Sequence, residues 1–187
     1  MQAVFLDRDG VINEEVDLLC REDQLVLIPG AAEAVRRLND AGVLAIVATN
    51  QPVVARNLCT EEDVRRLNAH LEEMLRQAAG ARLDAVYFCP HHPETHHPDG
   101  NPAYRGPCEC RKPNLGMLEE ARKRFGLDYA RCFLVGDTTR DLQTGVNAGC
   151  RTILVRTGYG GRDGKYDVRP DFVADDLAEA ADIILGM

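Results

Sequence analysis

Three features are missing from this 187-residue sequence, and each absence removes a class of function. No apolar run is long enough to span a bilayer and no basic-then-apolar leader opens the chain, so we expect a cytoplasmic protein without a membrane partner. An excess of Lys and Arg is also missing: the net charge is −8, which argues against a nucleic-acid partner. The Gly-x-x-x-x-Gly-Lys-Ser/Thr loop is absent, so nothing supports a kinase or an ATPase.

The residues that are present fit one folded unit. Hydrophobic residues make up 45% of the chain, which is enough for a full core in a single domain. The sequence shows no internal repeat and no long linker. We therefore expect one domain over residues 1–187 that acts as a monomer. Cysteines of a cytoplasmic protein should be thiols or metal ligands, and Cys132 and Cys150 are predicted to be thiols of the core.

Short apolar runs alternate with amphipathic stretches along the chain. The predicted strands are 3–6, 43–48, 85–89, 132–135, 152–155 and 172–174. The predicted helices are 31–41, 60–79, 115–125, 141–148 and 177–185. This alternation predicts an α/β fold with a doubly wound parallel sheet. Segments 90–113 and 158–170 show neither the alternation of a strand nor the periodicity of a helix. The glycine-rich residues 158–161 are interpreted as a flexible connector, and the alternative is that they form a lip of the pocket.

Polar side chains directly follow three of the predicted strands. Asp7 and Asp9 follow the first strand, and since alternate residues face the same side, both carboxylates should aim at one space while Arg8 turns away. Residues 49–51 follow the second strand, and Asp137 follows the fourth. Ligands bind beyond the carboxyl ends of the strands in open parallel sheets, so we expect these groups to converge.

Asp137, Asp141 and Lys112 each also have an interpretation without a functional role. Asp137 has the position of a helix N-cap, and Asp141 that of a solvated acid in a first helical turn. Taken together with Asp7 and Asp9, they indicate a magnesium site, because hard cations bind several carboxylate and carbonyl oxygens. Lys112 precedes a predicted helix, where it is either an anion ligand or a surface lysine.

The segment 89–110 supplies the closed tetrahedral ligand set of a structural zinc site, with three thiolates and one imidazole. These ligands are Cys89, His91, Cys108 and Cys110. The alternatives are free thiols or a disulfide between Cys108 and Cys110, which a one-residue spacer would strain. Three other histidines compete with His91 for the fourth position, namely His92, His96 and His97.

These motifs together resemble the haloacid dehalogenase (HAD) superfamily of phosphotransferases over nearly the whole chain. In the order of the four family motifs, the matching residues are Asp7-Arg8-Asp9-Gly10, Thr49, Lys112, and Gly136-Asp137 with Asp141. The resemblance implies a magnesium-dependent phosphomonoester hydrolase in which Asp7 forms an aspartyl-phosphate and Asp9 is the general acid and base.

The same resemblance assigns the remaining motif residues. It implies that Thr49 and Lys112 bind the phosphoryl oxygens. Asp7, the backbone carbonyl of Asp9 and Asp137 would hold the magnesium ion. Asp141 would orient Lys112 or a metal-bound water.

The cysteine-containing segment indicates which members of the superfamily the chain resembles. The stretches Phe88-Cys89-Pro90-His91-His92-Pro93 and Cys108-Glu109-Cys110-Arg111-Lys112-Pro113 resemble the heptose bisphosphate phosphatases and the histidinol phosphatases. Both groups are small members with a zinc-binding loop, here at about 89–110, and no large cap domain, so the substrate should be a small phosphorylated metabolite. We expect removal of the 7-phosphate of D-glycero-D-manno-heptose 1,7-bisphosphate, with histidinol phosphate or another small sugar phosphate as the alternative.

Asn50, Gln51 and Arg111 are the expected substrate-binding residues. The chain departs from the heptose phosphatases at two places. Glu15-Val16-Asp17-Leu18 stands where they often carry a Gly-Tyr pair, and Pro52 replaces a residue with a backbone donor. An acid at position 17 would suit a cationic substrate such as histidinol phosphate.

Overall fold

The centre of the molecule is a parallel sheet of six strands, seen in a computed structural model that describes residues 2–93 and 99–187. The strands are β1 (Ala3–Leu6), β2 (Leu44–Asn50), β3 (Ala85–Cys89), β4 (Phe133–Gly136), β5 (Arg151–Val155) and β6 (Phe172–Ala174). The α-helices are α1 (Ala31–Asp40), α2 (Glu61–Ala79), α3 (Gly116–Phe125), α4 (Thr139–Ala148) and α5 (Leu177–Leu185). The predicted α/β, doubly wound fold is confirmed.

The first strand shows why the apolar runs are unbroken. Val4 and Leu6 belong to a core that also includes residues of α1, α2 and α5. Ala3 and Phe5 point the other way, into a core shared with α3. All four side chains are fully buried. A strand covered by helices on both faces is apolar at every position, as parallel sheets require.

The strand order brings the functional residues together. The sheet runs β3-β2-β1-β4-β5-β6, so the chain builds outward from β1 in one direction and from β4 in the other. β1 and β4 are therefore neighbours at the switch point, where the Asp7 amide donates to the Val135 carbonyl at 3.0 Å. Open α/β sheets bind ligands in the crevice at this point.

Several element boundaries differ from the sequence prediction by one or two residues, and two of these differences concern the site. β2 continues to Asn50 because it pairs with β3 as far as Asn50 and Cys89, so Thr49 and Asn50 are strand residues. The helix α4 begins at Thr139, and its N-cap is Thr138, whose hydroxyl accepts from the amide of Asp141. The N-cap interpretation of Asp137 is therefore wrong, and its carboxylate remains available to the crevice.

Within residues 2–93 and 99–187, no helix combines the length and the apolar character that crossing a membrane requires.

Candidate active site

A cavity of about 190 Å³ opens at the carboxyl ends of the central strands. Its lining contains every residue for which a catalytic, substrate-binding or supporting role was predicted. These residues are Asp7, Asp9, Thr49, Asn50, Gln51, Arg111, Lys112, Asp137 and Asp141. Groups that are up to 134 positions apart in the sequence thus meet because three parallel strands end at the same edge.

Three carboxylates form an acidic cluster at the base of this cavity. Oxygens of Asp7, Asp137 and Asp141 lie within 4.8 Å of one another. Burial and the negative charges of its neighbours, Asp141 first, raise the pKa of Asp7 to about 6. Burial and the Asp7 charge raise the pKa of Asp137 to about 8. Like charges held this close are unfavourable without a cation, and oxygen donors of this kind suit a hard divalent ion.

Lys112 supplies one positive charge from within the protein. Its ammonium lies 3.1 Å from a carboxylate oxygen of Asp7 and 2.5 Å from one of Asp141. Lys112 is 2% exposed and Asp141 is 1% exposed, so the surface-lysine and solvated-acid interpretations are both wrong. Burial acts to lower the pKa of Lys112, but Asp141 and Asp7 outweigh it and raise the pKa. One ammonium opposite three carboxylates leaves a negative site when all are ionised.

Asn50 holds the backbone of Lys112 in place. The Lys112 amide donates to Asn50 Oδ1 at 3.0 Å, and Asn50 Nδ2 donates back to the Lys112 carbonyl at 3.2 Å. This paired contact fixes the end of β2 against the residue that carries the ammonium. The side chain of Asn50, predicted as a substrate contact, is therefore engaged with Lys112.

Asp9 lies in a different environment from Asp7. Its carboxylate accepts hydrogen bonds from both Nε and Nη2 of Arg8, at 3.0 and 2.9 Å. Asn13 and Gln51 each donate another at 2.8 Å. Burial acts to raise the pKa of Asp9, but the Arg8 charge and these donors hold it below its usual range. Arg8 was predicted to turn away from the two acids, and this prediction is wrong. The side chain is fully buried and donates two hydrogen bonds to Asp9.

Gln51 also links Asp9 to the predicted second motif. Besides its bond to Asp9, its Nε2 donates to the hydroxyl of Thr49 at 3.1 Å. Both side chains are at most 2% exposed. The amide of Gln51 thus fixes the positions of both the Asp9 carboxylate and the Thr49 hydroxyl.

The glycine-rich residues after β5 are part of the cavity wall. The amide of Tyr159 donates to the Asp137 carboxylate at 2.8 Å, and the Gly161 amide donates to the Asp137 carbonyl at 2.7 Å. A Cβ on Gly158 would lie 2.2 Å from Asp137 Oδ2, so only glycine allows this approach. Gly158 also has a φ of +58°. The connector interpretation is wrong for this segment, and the pocket-lip alternative describes it.

A second potential metal site lies beside the cavity and has soft donors. Cys89, His91, Cys108 and Cys110 bring one ligand atom each within 4.8 Å of the others. The sulfur of Cys110 lies 2.9 Å from that of Cys89 and 3.5 Å from that of Cys108, and His91 Nδ1 lies 3.5 Å from it. A zinc tetrahedron with bonds of about 2.3 Å has edges of about 3.8 Å, so the two 3.5 Å separations are compatible with such an ion, whereas the sulfurs of Cys89 and Cys110 would have to move apart to bind it. All three cysteines are free thiols, which rules out the Cys108–Cys110 disulfide in this structure.

Among the described residues, the histidine of this thiol cluster is His91. Its rival His92 lies outside the cluster, and the other two rivals, His96 and His97, lie outside the described residues. The loop around the cluster also contains a short 3₁₀ turn at Pro102–Tyr104, although no regular structure was predicted there. Cys132 and Cys150 are buried thiols, as expected.

The thiol cluster is joined directly to the acidic site. Arg111 and Lys112 immediately follow Cys110, and Arg111 donates from its guanidinium to the His91 carbonyl at 2.9 Å. Asn114 donates to the Cys108 carbonyl at 2.7 Å. A change in the position of Cys110 would therefore move the residues that reach into the cavity.

Sequence reasoning missed a group of cations in the cavity wall. Arg56, Arg140 and Lys165 line it together with Arg111. The described residues contain no carboxylate within ion-pair distance of any of the four. The Nε of Arg56 is buried without a hydrogen-bond partner. Arg140 lies within the fourth motif, between Asp137 and Asp141, and this position was the one signal that pointed to the cavity.

Another part of the wall is acidic and aromatic. Glu15, Asp17 and Tyr159 line it, and the Tyr159 hydroxyl donates to Asp17 at 3.2 Å. Burial and the Asp9 charge raise the pKa of Glu15 to about 7. The cavity thus has one positive wall and one wall rich in hydrogen-bond acceptors.

Comparison with known proteins assigns this arrangement to a family. Residues 109–180 match the HAD-hydrolase-like family model. A relative from Thermosynechococcus vestitus, named D-glycero-D-manno-heptose-1,7-bisphosphate 7-phosphatase, is 47% identical over 188 residues, covering 97% of this chain and 94% of the relative. The chain belongs to this family of HAD-like phosphatases. The predicted superfamily and enzyme class are confirmed.

Two further comparisons cover nearly the whole chain. A Bordetella bronchiseptica relative, named D-glycero-beta-D-manno-heptose-1,7-bisphosphate 7-phosphatase, is 37% identical over 190 residues, covering 99% of this chain and 98% of the relative. The crystal structure of D,D-heptose 1,7-bisphosphate phosphatase from B. bronchiseptica, complexed with magnesium and phosphate, matches with a TM-score of 0.85 at 34% identity. That match covers 100% of this chain and 99% of the crystallised one.

Proposed function

We propose that this phosphatase removes the 7-phosphate of D-glycero-D-manno-heptose 1,7-bisphosphate. The names of the relatives support this substrate, and so does the cavity. One end of the cavity holds the acidic cluster with Lys112, and the wall holds four cations that have no carboxylate partner in residues 2–93 and 99–187. A substrate with two phosphates offers one anion to each of these places.

Asp7 is the proposed nucleophile. Its carboxylate lines the cavity, where Lys112 contacts one of its oxygens. Asp7 Oδ attacks the phosphorus of the 7-phosphate, the bond from phosphorus to the sugar oxygen breaks, and an aspartyl-phosphate forms. Water then attacks that phosphorus and restores the carboxylate.

Asp9 is the proposed proton carrier. It gives a proton to the leaving sugar oxygen and takes one from the water that attacks the intermediate. Arg8, Asn13 and Gln51 keep free Asp9 ionised and in a fixed orientation. A phosphate dianion arriving beside it raises the pKa of Asp9, because a nearby negative charge favours the protonated form. Once Asp9 has given its proton to the leaving oxygen it is ionised, and it can then take a proton from the attacking water.

Thr49 and Lys112 are the proposed donors to the non-bridging phosphoryl oxygens. Thr49 is held by Gln51, and Lys112 is held by Asn50 and Asp141. Donors fixed before the reaction stabilise the charge of the transition state without reorganising. Asn50, Gln51 and Asp141 act mainly by positioning these groups.

The acidic cluster contains the proposed magnesium site, whose side-chain ligands are Asp7 and Asp137. Its oxygen donors and the raised pKa values of Asp7 and Asp137 fit a hard divalent ion, which the backbone carbonyl of Asp9 would also bind. When bound, magnesium neutralises the charge between the phosphate and the carboxylates.

The thiol cluster is the proposed zinc site, with a structural role. Four protein ligands leave no open position for water or substrate. The ion would fix the ends of the loop 89–110 and thereby place Arg111 and Lys112. We propose that this loop belongs to one phosphatase domain spanning residues 1–187, which acts as a monomer.

Steady-state phosphate release tests the substrate. We expect kcat/KM for the heptose 1,7-bisphosphate to exceed that for histidinol phosphate by a factor on the order of 10³, because the positive wall repels a cationic leaving group. Omission of magnesium should abolish both activities. Equal or better turnover of histidinol phosphate would contradict the proposal.

A further inference from the structure

The connection between β5 and β6 carries two similar contacts between an aspartate and a threonine. In the first, the Asp163 carboxylate accepts from the Thr139 amide at 2.7 Å and from its hydroxyl at 2.8 Å. In the second, the Asp171 carboxylate accepts from the Thr152 amide at 2.7 Å and from its hydroxyl at 2.9 Å. The first pair is attached to the start of α4, and the second to β5.

Only the first contact continues into the cavity wall. The Thr139 hydroxyl donates to Asp163 and accepts from the amides of Lys165 and Tyr166, at 3.1 and 3.2 Å. The backbone of Lys165 is therefore tied to the first residue of α4, next to Arg140. Asp163, Thr139 and Lys165 form one hydrogen-bonded unit, which we call the Asp163 clamp.

The clamp brings Lys165 close to other positive groups. Lys165 lines the cavity with Arg140, Arg111 and Arg56. The Arg140 charge, followed by partial burial, lowers the pKa of Lys165; the Asp163 charge opposes this shift, and the other two arginines add to it. Cations that repel one another in this way need something to hold them together, and the clamp does so through the backbone. An anionic group in their midst would relieve the repulsion.

We infer that Asp163 is a positioning residue that, through Thr139, sets Lys165 to bind the phosphate that is not hydrolysed. The inference rests on the proposed function, in which the substrate has a second phosphate. Asp163 itself does not touch the substrate. It determines how strongly the enzyme prefers a leaving group with a negative charge over the same leaving group without one.

The test compares two substrates that differ only in this phosphate. Wild type, Asp163→Ala and Lys165→Met are assayed with heptose 1,7-bisphosphate and with heptose 7-phosphate. For both variants we expect KM for the bisphosphate to rise roughly five- to tenfold, with kcat changed less than twofold, since one charged contact is lost. KM for the monophosphate should stay unchanged. The double variant should lose no more than either single one, because both act on the same contact.

Asp171→Ala is the matched control. It breaks the same kind of contact on the same connection, and we expect a lower thermal midpoint with no change in substrate preference. Equal losses for both substrates in Asp163→Ala, or the same shift in preference in Asp171→Ala, would show a merely structural role and overturn the inference.

A second substrate pair separates this inference from the proposed function. If wild type turns over neither heptose, the proposed function fails, and the comparison is made with fructose 1,6-bisphosphate and fructose 6-phosphate. A smaller preference for the bisphosphate in Asp163→Ala than in wild type then still supports the clamp. An unchanged preference overturns it, as does a wild type with no preference for the bisphosphate.

Discussion

The acidic cluster and the thiol cluster lie side by side, but they are assembled in different ways. Asp7 and Asp137 follow neighbouring strands, and their spacing is set by the hydrogen bonds of the sheet. The thiol cluster joins the end of β3 to a loop nearly 20 residues farther along the chain. A cluster built on strands exists before any ion binds, whereas a cluster that closes a loop gains its order from the ion.

The two clusters also balance charge differently. The acidic cluster contains its own cation, Lys112, so part of the repulsion is relieved by the protein. At the thiol cluster, the nearby cation is Arg111, whose charge acts on Cys89 and Cys108. Burial nevertheless raises the pKa of Cys89 and of Cys110. Loss of magnesium from the acidic cluster should therefore mainly lower the reaction rate. Loss of zinc from the thiol cluster should mainly lower the stability of the fold.

The largest effect should follow removal of the proposed nucleophile. Asp7→Asn should lower kcat by a factor on the order of 10⁶, because an amide cannot form the phosphorylated intermediate. The thermal midpoint should stay the same or rise, since burial and Asp141 make the Asp7 charge unfavourable. Phosphate release and differential scanning calorimetry measure the two quantities. Near-normal turnover would rule out a covalent mechanism through Asp7.

The next largest effect should follow loss of the proton carrier. Asp9→Asn should lower kcat by about 10²- to 10⁴-fold, the usual contribution of a general acid and base. The control is Asp23→Asn, which changes an exposed aspartate that also pairs with a neighbouring arginine, Arg21. Activity equal in the two variants would remove Asp9 from the reaction.

Breaking the thiol cluster should have a smaller effect on the rate and a larger one on stability. Cys110→Ser should lose bound zinc, lower the thermal midpoint and reduce kcat/KM on the order of 10²-fold, because Lys112 loses its position. Metal content is read by plasma mass spectrometry. Cys59→Ser, at a half-buried thiol outside the cluster, should keep zinc and activity. Full activity in a zinc-free Cys110→Ser protein would show that zinc binding by the loop is not required for catalysis.

The smallest effect should be the dependence of stability on pH without magnesium. The pKa values of Asp7 and Asp137 are raised to about 6 and about 8 in the folded protein, above the ordinary value of 3.8. Between pH 4 and 8 the unfolded chain ionises these groups first, so the free energy of unfolding of the magnesium-free protein should fall as pH rises. Added magnesium should therefore raise the thermal midpoint more at pH 8 than at pH 5. An equal rise at both values would mean that the ion binds elsewhere.

The sequence predicted the acidic cluster better than the cavity wall around it. Asp7 and Asp137 follow apolar runs, and the geometry of parallel strands then requires them to meet. Arg56 and Lys165 come from two separate connections and Arg140 from the first turn of α4, and no local pattern specifies that these three side chains meet. The grip of Arg8 on Asp9 was missed for another reason: strand alternation was extended past Leu6, where β1 has already ended.

Direct capture of the phosphorylated enzyme tests the central claim, that the acidic cluster holds a carboxylate which becomes phosphorylated. Enzyme is mixed with ³²P-labelled heptose 1,7-bisphosphate and magnesium, quenched in acid within milliseconds, and digested for peptide mapping. We predict label on the peptide that contains Asp7, more of it in Asp9→Asn and none in Asp7→Asn. Substrate consumption with no label on the protein, or label on a peptide without Asp7, would contradict the account.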